Sequence, residues 1–204
     1  SWQVAWRALR DELARLRKEF RMEIREETRA QIMALFRQVV QMLKEEGKLS
    51  ELEETLKEMI AMAPADAESY KELGKIYRQR GDKVPKVFCD GNELKPDVPP
   101  VIKEGRTLIP VRAIAQALGA TVQWNEKERT VLIAKGDVTI KIQVDNRVAF
   151  VNGKRVELDV PAKNISNRVF VPLRFISQAL KAKVDYYPEG QIVVVNQGDA
   201  QAQE

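Results

Sequence analysis

The residue types that most often carry out chemistry are nearly absent from this chain of 204 residues, which has no histidine and one cysteine, Cys89. Without histidine, no His-based triad, proton shuttle or conventional zinc site can form, and one cysteine cannot make an intrachain disulfide. Cys89 has no histidine to activate it and is expected to be a small buried apolar residue. We therefore predict a chain that is not an enzyme and holds no metal or cofactor, although carboxylates alone could still serve a glycosidase.

Four charged residues recur in two pairs that are 62 positions apart, and they are candidates for ion pairing or for binding an anion. Arg112 and Arg174 each fall in the first turn of a predicted helix, where the helix dipole disfavours a cation. Their recurrence suggests a partner, and Asp97 and Asp159 recur with them as candidate carboxylates. The pattern predicts structural ion pairs, with an anion or glycan site as the alternative.

Aromatic side chains supply a second set of candidates. Trp124 and Tyr186 occupy equivalent positions on predicted strands, and Tyr187 follows directly. Exposed rings can stack on sugars, whereas packing in the core or at a sheet edge is the commoner use of such residues. Both interpretations are open at this point.

The charge pattern argues against a nucleic-acid partner. Lys and Arg number 34 against 30 Asp and Glu, and the two signs are interleaved. A nucleic-acid binder usually concentrates cations in a stripe, so we predict no nucleic-acid partner.

The sequence contains no segment typical of membrane insertion. No apolar run approaches the roughly 20 residues that a membrane-spanning helix needs. The chain starts at Ser1 without a signal-type segment, which indicates a processed or trimmed product.

Composition divides the chain near Asp82 into a helical part and a strand-rich part. Before it, Glu, Lys, Arg, Leu, Ala and Met predominate, and these are strong helix formers. After it, Val, Ile, Thr, Pro, Asn and Gly rise, as is typical of strands and turns. Gly81 can end a helix, and Pro85 disfavours helix at Val84. The fold class predicted is α+β.

The first helix should be amphipathic. Its apolar residues follow a four-three spacing and form one stripe: Trp2, Trp6, Leu9, Leu13, Leu16 and Phe20. Such a stripe packs on the next helices of the same chain, makes a short coiled coil between two chains, or lies on a membrane surface. The Glu and Asp residues on the polar face weaken the attraction to anionic lipid and disfavour the third use. The pattern stops after Phe20, which favours packing within the chain; a homodimer through residues 2–20 is the alternative.

In the helical stretch from Met33 to Asp82, residues in AESYKELGKIYRQRGD repeat an earlier set at a distance of 34 positions. This period and the types of the repeated residues resemble a tetratricopeptide repeat. The earlier set is Phe36, Val39, Val40, Leu43 and Gly47, and the later one is Tyr70, Leu73, Gly74, Tyr77 and Gly81. Val40 and Met59 depart from the small residues usual in the family. A plain three-helix bundle would carry the same stripes.

The tetratricopeptide resemblance implies a concave groove lined by the first helix of each repeat. The positions it places there are Arg37, Gln41, Lys44, Lys71, Lys75 and Arg78, of which five are cationic. Such a surface would favour an acidic peptide or a chain-terminal carboxylate. The alternatives are a solvated lysine face, or a groove filled by the helix at residues 2–20.

The strand-rich part contains an internal duplication, because residues 87–135 align without a gap on residues 149–197. The recurring pairs include Gly91 with Gly153, Asp97 with Asp159, Arg106 with Arg168, Pro110 with Pro172, and Arg112 with Arg174. Each copy shows a two-residue hairpin turn, a strand ending at proline, a short helix and a second hairpin. About fifty residues are too few for a stable core. The two copies should therefore share one core of antiparallel strands wrapped around two short helices.

Three motifs in these copies carry a second resemblance: VNGKRVELDVPA, RTLIPVRAIAQALGATVQW and RVFVPLRFISQALKAKVDY. They resemble the N-terminal domain of some copper amine oxidases, also found as a tandem stalk module in bacterial envelope proteins. The resemblance covers Val87 to Val195. Copper and topaquinone belong to a separate catalytic domain of that family, whose copper ligands are histidines. The resemblance therefore implies a secreted or wall-associated accessory module and not an oxidase.

These observations predict four segments. They are an amphipathic lead helix at 1–32, a tetratricopeptide-like region at 33–83, the copper amine oxidase N-terminal-like domain at 84–197, and a disordered tail at 198–204. The predicted function is a non-catalytic interaction or scaffold protein of the cell envelope or exterior that binds a protein or acidic peptide. A module that binds carbohydrate or cell-wall polysaccharide is the alternative.

Overall fold

The computed structural model describes residues 2–20 and 26–198, so nearly all of the predicted tail lies outside the described residues. The fold is α+β, as predicted. Its N-terminal part consists of helices α1 (Trp2–Phe20), α2 (Glu26–Glu45), α3 (Leu49–Met62) and α4 (Ala67–Arg80).

Local sequence determines where α4 starts and stops. The carboxylate of Asp66 accepts a hydrogen bond from the backbone N–H of Ser69, which caps the first turn. Gly81 adopts a left-handed φ of 74°, and its N–H closes the last turn on the carbonyls of Tyr77 and Arg78. The helix end predicted at Gly81 is confirmed.

The two copies contain the same elements in the same order. The first copy has β1 (Lys86–Cys89), β2 (Asn92–Leu94), β3 (Val101–Lys103), β4 (Arg106–Pro110), α5 (Val111–Ala117), β5 (Thr121–Asn125) and β6 (Thr130–Lys135). Strand β7 (Val138–Gln143) connects the copies. The second copy has β8 (Val148–Val151), β9 (Lys154–Glu157), β10 (Lys163–Ile165), β11 (Arg168–Pro172), α6 (Leu173–Ala179), β12 (Ala182–Tyr187) and β13 (Ile192–Gln197).

The strands form three sheets, and each sheet takes strands from both copies. Their orders are β12-β13-β1-β2, β10-β11-β4-β3 and β5-β6-β7-β8-β9. We call the first the covered sheet and the last the open sheet, for reasons given below. Strand β1 pairs with β13 in parallel, placing Phe88 opposite Val194, and the other pairings between described strands are antiparallel.

One hydrophobic core joins the copies. Ile109 and Ile114 of the first copy and Val171 and Ile176 of the second are fully buried in the same cluster. Because neither copy could bury these side chains alone, the pairing of the copies is what makes the core large enough. The prediction of a shared core is confirmed.

A second core lies between the helices and the outer face of the covered sheet. Phe88, Ile192 and Val194 are buried there together with residues of α2, α3 and α4. The ring of Tyr70 meets Phe88 edge-on at 5.7 Å and stacks on Tyr187 at 5.4 Å. The helices therefore form a layer on the sheet, a contact that the sequence did not indicate.

Two glycines allow this layer to approach closely. A Cβ added at Gly74 would lie 2.2 Å from the carbonyl oxygen of Glu189, and one added at Gly190 would lie 2.5 Å from the Cα of Gly74. These distances are far shorter than any ordinary contact, so only glycine fits at this point of α4.

Among the described side chains of its apolar stripe, helix α1 packs on its own chain through Trp6. The ring of Trp6 meets Phe36 of α2 edge-on at 5.3 Å, and Arg7 and Arg10 form ion pairs with Glu51 and Glu54 of α3. Trp2 and Leu9 stay 40% and 53% exposed. Packing within the chain thus accounts for part of the stripe, and self-association through α1 stays a prediction.

Candidate binding groove between the two copies

An open groove of about 960 Å³ lies where elements of the two copies meet. The first copy contributes helix α5, strand β5 and the β5–β6 turn, and the second contributes β10, β11 and the turn between them. The polar side chains that line the groove are Asp97, Arg112, Gln116, Trp124, Glu126, Arg129, Asn164, Asn167 and Arg168.

Helix α5 presents its polar face to this groove. Arg112 and Gln116 are four residues apart on one side and exposed, whereas Ile114 and Ala115 are buried in the shared core. The burial of Ile114 and Ala115 determines which side of this seven-residue helix faces the groove. The side chains of Arg112 and Gln116 are thereby directed at the groove.

Trp124 reaches the groove through the alternation of β5. Its neighbours Gln123 and Asn125 point outward, and the Trp124 ring is half-buried against the shared core. The indole N–H donates to the Glu126 carboxylate at 2.5 Å. The ring is therefore held in place, with its N–H satisfied and part of its surface open.

Two ion pairs connect the copies crosswise, and they correct the pairing expected from the sequence. Asp97 binds Arg168 at 2.6 Å, and Asp159 binds Arg106 at 3.0 Å. The Arg168 guanidinium lowers the pKa of the Asp97 carboxyl. The strand arginines at the start of β4 and β11 reach the two carboxylates, whereas Arg112 and Arg174, the arginines expected there, do not.

The guanidinium groups of Arg112 and Arg129 form no hydrogen bond or ion pair with any residue that the structure describes. Arg129 sits in the β5–β6 turn with a left-handed φ of 50°. The acidic residues of the lining are already engaged, since Asp97 binds Arg168 and Glu126 accepts from Trp124. The groove therefore carries two guanidinium groups that no acidic side chain of the described residues neutralises.

The duplication shows why the groove opens beside the first copy. Ala113 lines it, and the equivalent residue of the second copy is Phe175, whose ring packs against the shared core. Asn164 and Asn167 correspond to Ile102 and Gly105. The groove therefore has a small residue, Ala113, in place of Phe175, and two polar amides, Asn164 and Asn167, in place of Ile102 and Gly105.

The remaining predicted residues of the second copy lie apart from the groove. Tyr187 packs into the helical layer against Tyr70, which is the core role considered for it. Tyr186 is 44% exposed on β12, and Arg174 is exposed and without an ion-pair partner in the described part of the chain. Trp124 and the two tyrosines therefore do not form one aromatic platform.

The cationic positions of the helical part are exposed, but most of them have acidic partners. Lys44 and Lys75 both bind Glu72 at 3.2 Å, linking α2 to α4. Burial opposes ionisation of Glu72, but these two lysines lower its pKa. The other pairs are Lys71 with Glu68 at 3.6 Å and Arg78 with Glu189 at 3.8 Å, while Gln41 binds Glu45 at 3.1 Å. Arg37 is exposed on α2.

Sequence reasoning found Arg112, Trp124 and Asp97 but missed Gln116, Arg129, Asn164, Asn167 and Arg168 as groove residues. The missed residues come from turns and from the other copy, so only the pairing of the copies brings them to α5. A signal did exist in the sequence, because Ala113 and Phe175 break an otherwise similar motif.

Comparison with known proteins identifies the strand-rich part. A sequence model of the copper amine oxidase N-terminal domain matches residues 88–195, more than half of the chain. A primary amine oxidase of Klebsiella aerogenes is 27% identical over 78 residues, which are 38% of this chain and 10% of that protein. The chain thus spans a small fraction of that relative's length.

The residues of this chain do not fit copper. Histidine is absent, and no three Cys, Asp or Glu side chains cluster as metal ligands within residues 2–20 and 26–198. Cys89 is buried, and burial together with Asp90 raises the pKa of its thiol to about 12.

None of the helices in the described part of the chain is long and apolar enough to cross a bilayer.

Proposed function

The chain belongs to the copper amine oxidase N-terminal domain family, and from that premise we propose that it is a non-catalytic interaction module that binds a partner protein through the groove between its copies. The observation that carries the proposal is the opening of the groove beside Ala113, where the second copy has Phe175. A duplicated unit that keeps its core motifs but loses a bulky residue at one wall has room for a ligand there.

The lining suits an extended peptide segment. Pro96, Pro110 and the Trp124 ring offer apolar surface, and the side-chain amides of Asn164 and Asn167 can donate to and accept from a peptide backbone. Three of these five residues, Pro110, Trp124 and Asn164, belong to regular strands, so much of the surface is organised before binding.

Carbohydrate is the second candidate ligand. The feature in its favour is Trp124, an aromatic ring beside the amides of Gln116 and Asn164. Sugars are commonly held by a ring face together with amide hydrogen bonds. Binding of a cell-wall polysaccharide would use the same groove.

We propose that the module works in the cell envelope or outside the cell. The support is its family, because the domain that defines it is part of an extracellular or periplasmic enzyme.

Two further proposals concern the helical part. The helices have a tetratricopeptide-like role, in which Lys71 and Lys75 bind an acidic peptide. Two chains form a homodimer through α1. For the dimer, light scattering should show a mass that falls to one chain when Trp2 and Leu9 are changed to Gln.

The groove is tested by panning a random peptide display library on the wild-type chain and on Ala113→Phe. The substitution places the second copy's own residue in the wall, so it fills the groove with a side chain that the unit accommodates elsewhere. The expected result is a set of peptides retained by the wild type and released by the variant. Equal retention by both, with equal melting temperatures, would contradict the proposal. A parallel oligosaccharide array on the same two proteins tests the carbohydrate candidate.

A further inference from the structure

We infer that the groove selects a carboxylate-rich peptide segment and that Arg112 and Arg129 are the residues that recognise it. This inference rests on the proposed function, because it names the partner chemistry of the same groove. It begins from the charges of the lining, which are Asp97, Arg112, Glu126, Arg129 and Arg168.

Three of these five charges are already engaged. Arg168 and Asp97 hold each other at 2.6 Å, and Glu126 accepts the indole N–H of Trp124. The side chains of Arg112 and Arg129 are exposed and have no partner among the described residues. Glu126 keeps its negative charge, because the indole that it binds is neutral, so three arginines and two carboxylates give the lining a net positive charge. The guanidinium groups of Arg112 and Arg129 are free to bind a ligand.

Guanidinium groups have a specific preference. Each offers a planar fork of N–H donors that matches the two oxygens of a carboxylate, and such charge-assisted pairs are stronger than neutral hydrogen bonds. Two of them in one groove favour a ligand with at least two carboxylates. Glu and Asp side chains along a peptide provide that repeat.

The Trp124 ring offers apolar surface to a peptide. Part of its surface packs on the shared core, and its N–H is fixed by Glu126. The open remainder can cover an apolar side chain or a proline. The exposed amides of Asn164 and Asn167 supply backbone hydrogen bonds on the opposite wall.

The second copy provides matched controls for both arginines. Arg174 is the equivalent of Arg112, is equally exposed and lies outside the groove. Gln191 is the equivalent of Arg129 and adopts the same left-handed backbone, with φ of 55° against 50°. Arg129→Gln therefore introduces a residue that this turn already accepts.

The test measures fluorescence anisotropy of labelled hexaglutamate and hexaglutamine peptides with the full chain. Arg112→Gln combined with Arg129→Gln should weaken hexaglutamate binding about tenfold, and Arg174→Gln should leave it unchanged. Raising the salt concentration from 50 to 500 mM should weaken binding to the wild type, and hexaglutamine should bind less tightly than hexaglutamate.

The outcomes separate this inference from the proposed function. If the double variant binds hexaglutamate as tightly as the wild type, or if Arg174→Gln weakens binding as much, the recognition by Arg112 and Arg129 is wrong. The groove function would still stand if Ala113→Phe released its selected peptides. If oligogalacturonate binds and hexaglutamate does not, the ligand is an acidic glycan and the peptide assignment is overturned.

Discussion

The covered sheet and the open sheet are built from equivalent strands but have different outer surfaces. Phe88 on the covered sheet is 1% exposed, and its equivalent in the duplication, Phe150 on the open sheet, is 40% exposed. Val194 and its equivalent Leu132 differ in the same way, at 2% and 38%. The same unit therefore serves once as a platform for helices and once as a face that has no covering layer in the described part of the chain.

Strand β7 explains how the open sheet manages without a covering layer. In the covered sheet, β1 pairs directly with β13, so Phe88 lies beside Val194 and forms one apolar patch. In the open sheet, β7 separates the corresponding strands and places Lys141 between Leu132 and Phe150. The Lys141 ammonium, 3.7 Å from Glu128, interrupts the apolar surface and discourages association through this face.

The groove is the second difference between the copies. The second copy has Phe175 at the position of Ala113, and its Tyr187 and Val194 join the helical layer together with Phe88 of the first copy. The first copy has Ala113 and leaves a space lined by two unpaired arginines. The helices thus cover a sheet made of β12 and β13 of the second copy and β1 and β2 of the first, while the groove opens beside α5 of the first copy.

The largest expected effect is a difference between two equivalent substitutions. Phe88→Ala should lower the free energy of unfolding by about 3–5 kcal/mol, because it empties a buried site between sheet and helices. Phe150→Ala, at the equivalent but half-exposed position, should cost about 1 kcal/mol. Urea unfolding followed by circular dichroism measures both. Similar losses for the two variants would mean that the helices do not cover the sheet as described.

The next effect concerns the close approach of α4 to the covered sheet. On an isolated helix, Gly74→Ala would stabilise by about 1 kcal/mol through helix propensity. Here the new methyl group would collide with the Glu189 carbonyl, so we expect a net loss of about 1–3 kcal/mol. The same urea experiment measures whether Gly74→Ala raises or lowers the free energy of unfolding. A rise would show that the close contact between α4 and Glu189 is absent.

Sequence patterns predicted the fold class, the duplication and the shared core because each rests on local or repeated signals. Pairs such as Asp90-Gly91 and Asn152-Gly153 adopt the left-handed turns that their composition predicts. The contact between helices and sheet was missed for a physical reason. Phe88 and Phe150 lie at equivalent positions of the duplication. Their burial differs because α4 packs on the sheet that carries Phe88.

A medium effect is expected at alkaline pH. Burial raises the pKa values of Tyr70 and Tyr77 well above the usual range, and that of Cys89 to about 12. Since these pKa values are higher in the folded state, the stability they contribute is complete below about pH 9 and is lost as pH rises above it. Thermal unfolding from pH 7 to pH 11.5 should show a steady fall in melting temperature above pH 9.

Two tyrosine variants separate the causes of that alkaline loss. The Tyr77 hydroxyl is buried without a hydrogen-bond partner among the described residues, so Tyr77→Phe should be neutral or stabilising at pH 7 and should reduce the alkaline loss. The Tyr70 hydroxyl donates to the Pro64 carbonyl at 2.6 Å, so Tyr70→Phe should cost about 1 kcal/mol at pH 7. Alkaline curves identical to the wild type for both variants would contradict the assignment.

The smallest effect concerns the crosswise ion pairs. Asp97→Asn removes the partner of Arg168, and Asp159→Asn removes that of Arg106. Both pairs are exposed, so each variant should lower the melting temperature less than Phe88→Ala, Gly74→Ala or Tyr70→Phe, and the difference should vanish at high salt. Because the Asp97 pKa is lowered in the folded state, its contribution should also disappear as pH falls below about 4. A large, salt-independent loss would indicate that the pairs hold the copies together.

The most direct test of the groove as the binding site is to locate the bound peptide. Amide and indole resonances of the labelled chain, recorded by NMR while hexaglutamate is added, report which residues it touches. We predict shifts at Arg112, Gln116 and the Trp124 indole N–H, with Arg174 and Tyr186 of the second copy unchanged. Shifts centred on Lys71 and Lys75 of α4, or on Leu132 and Phe150 of the open sheet, would contradict the groove as the binding site.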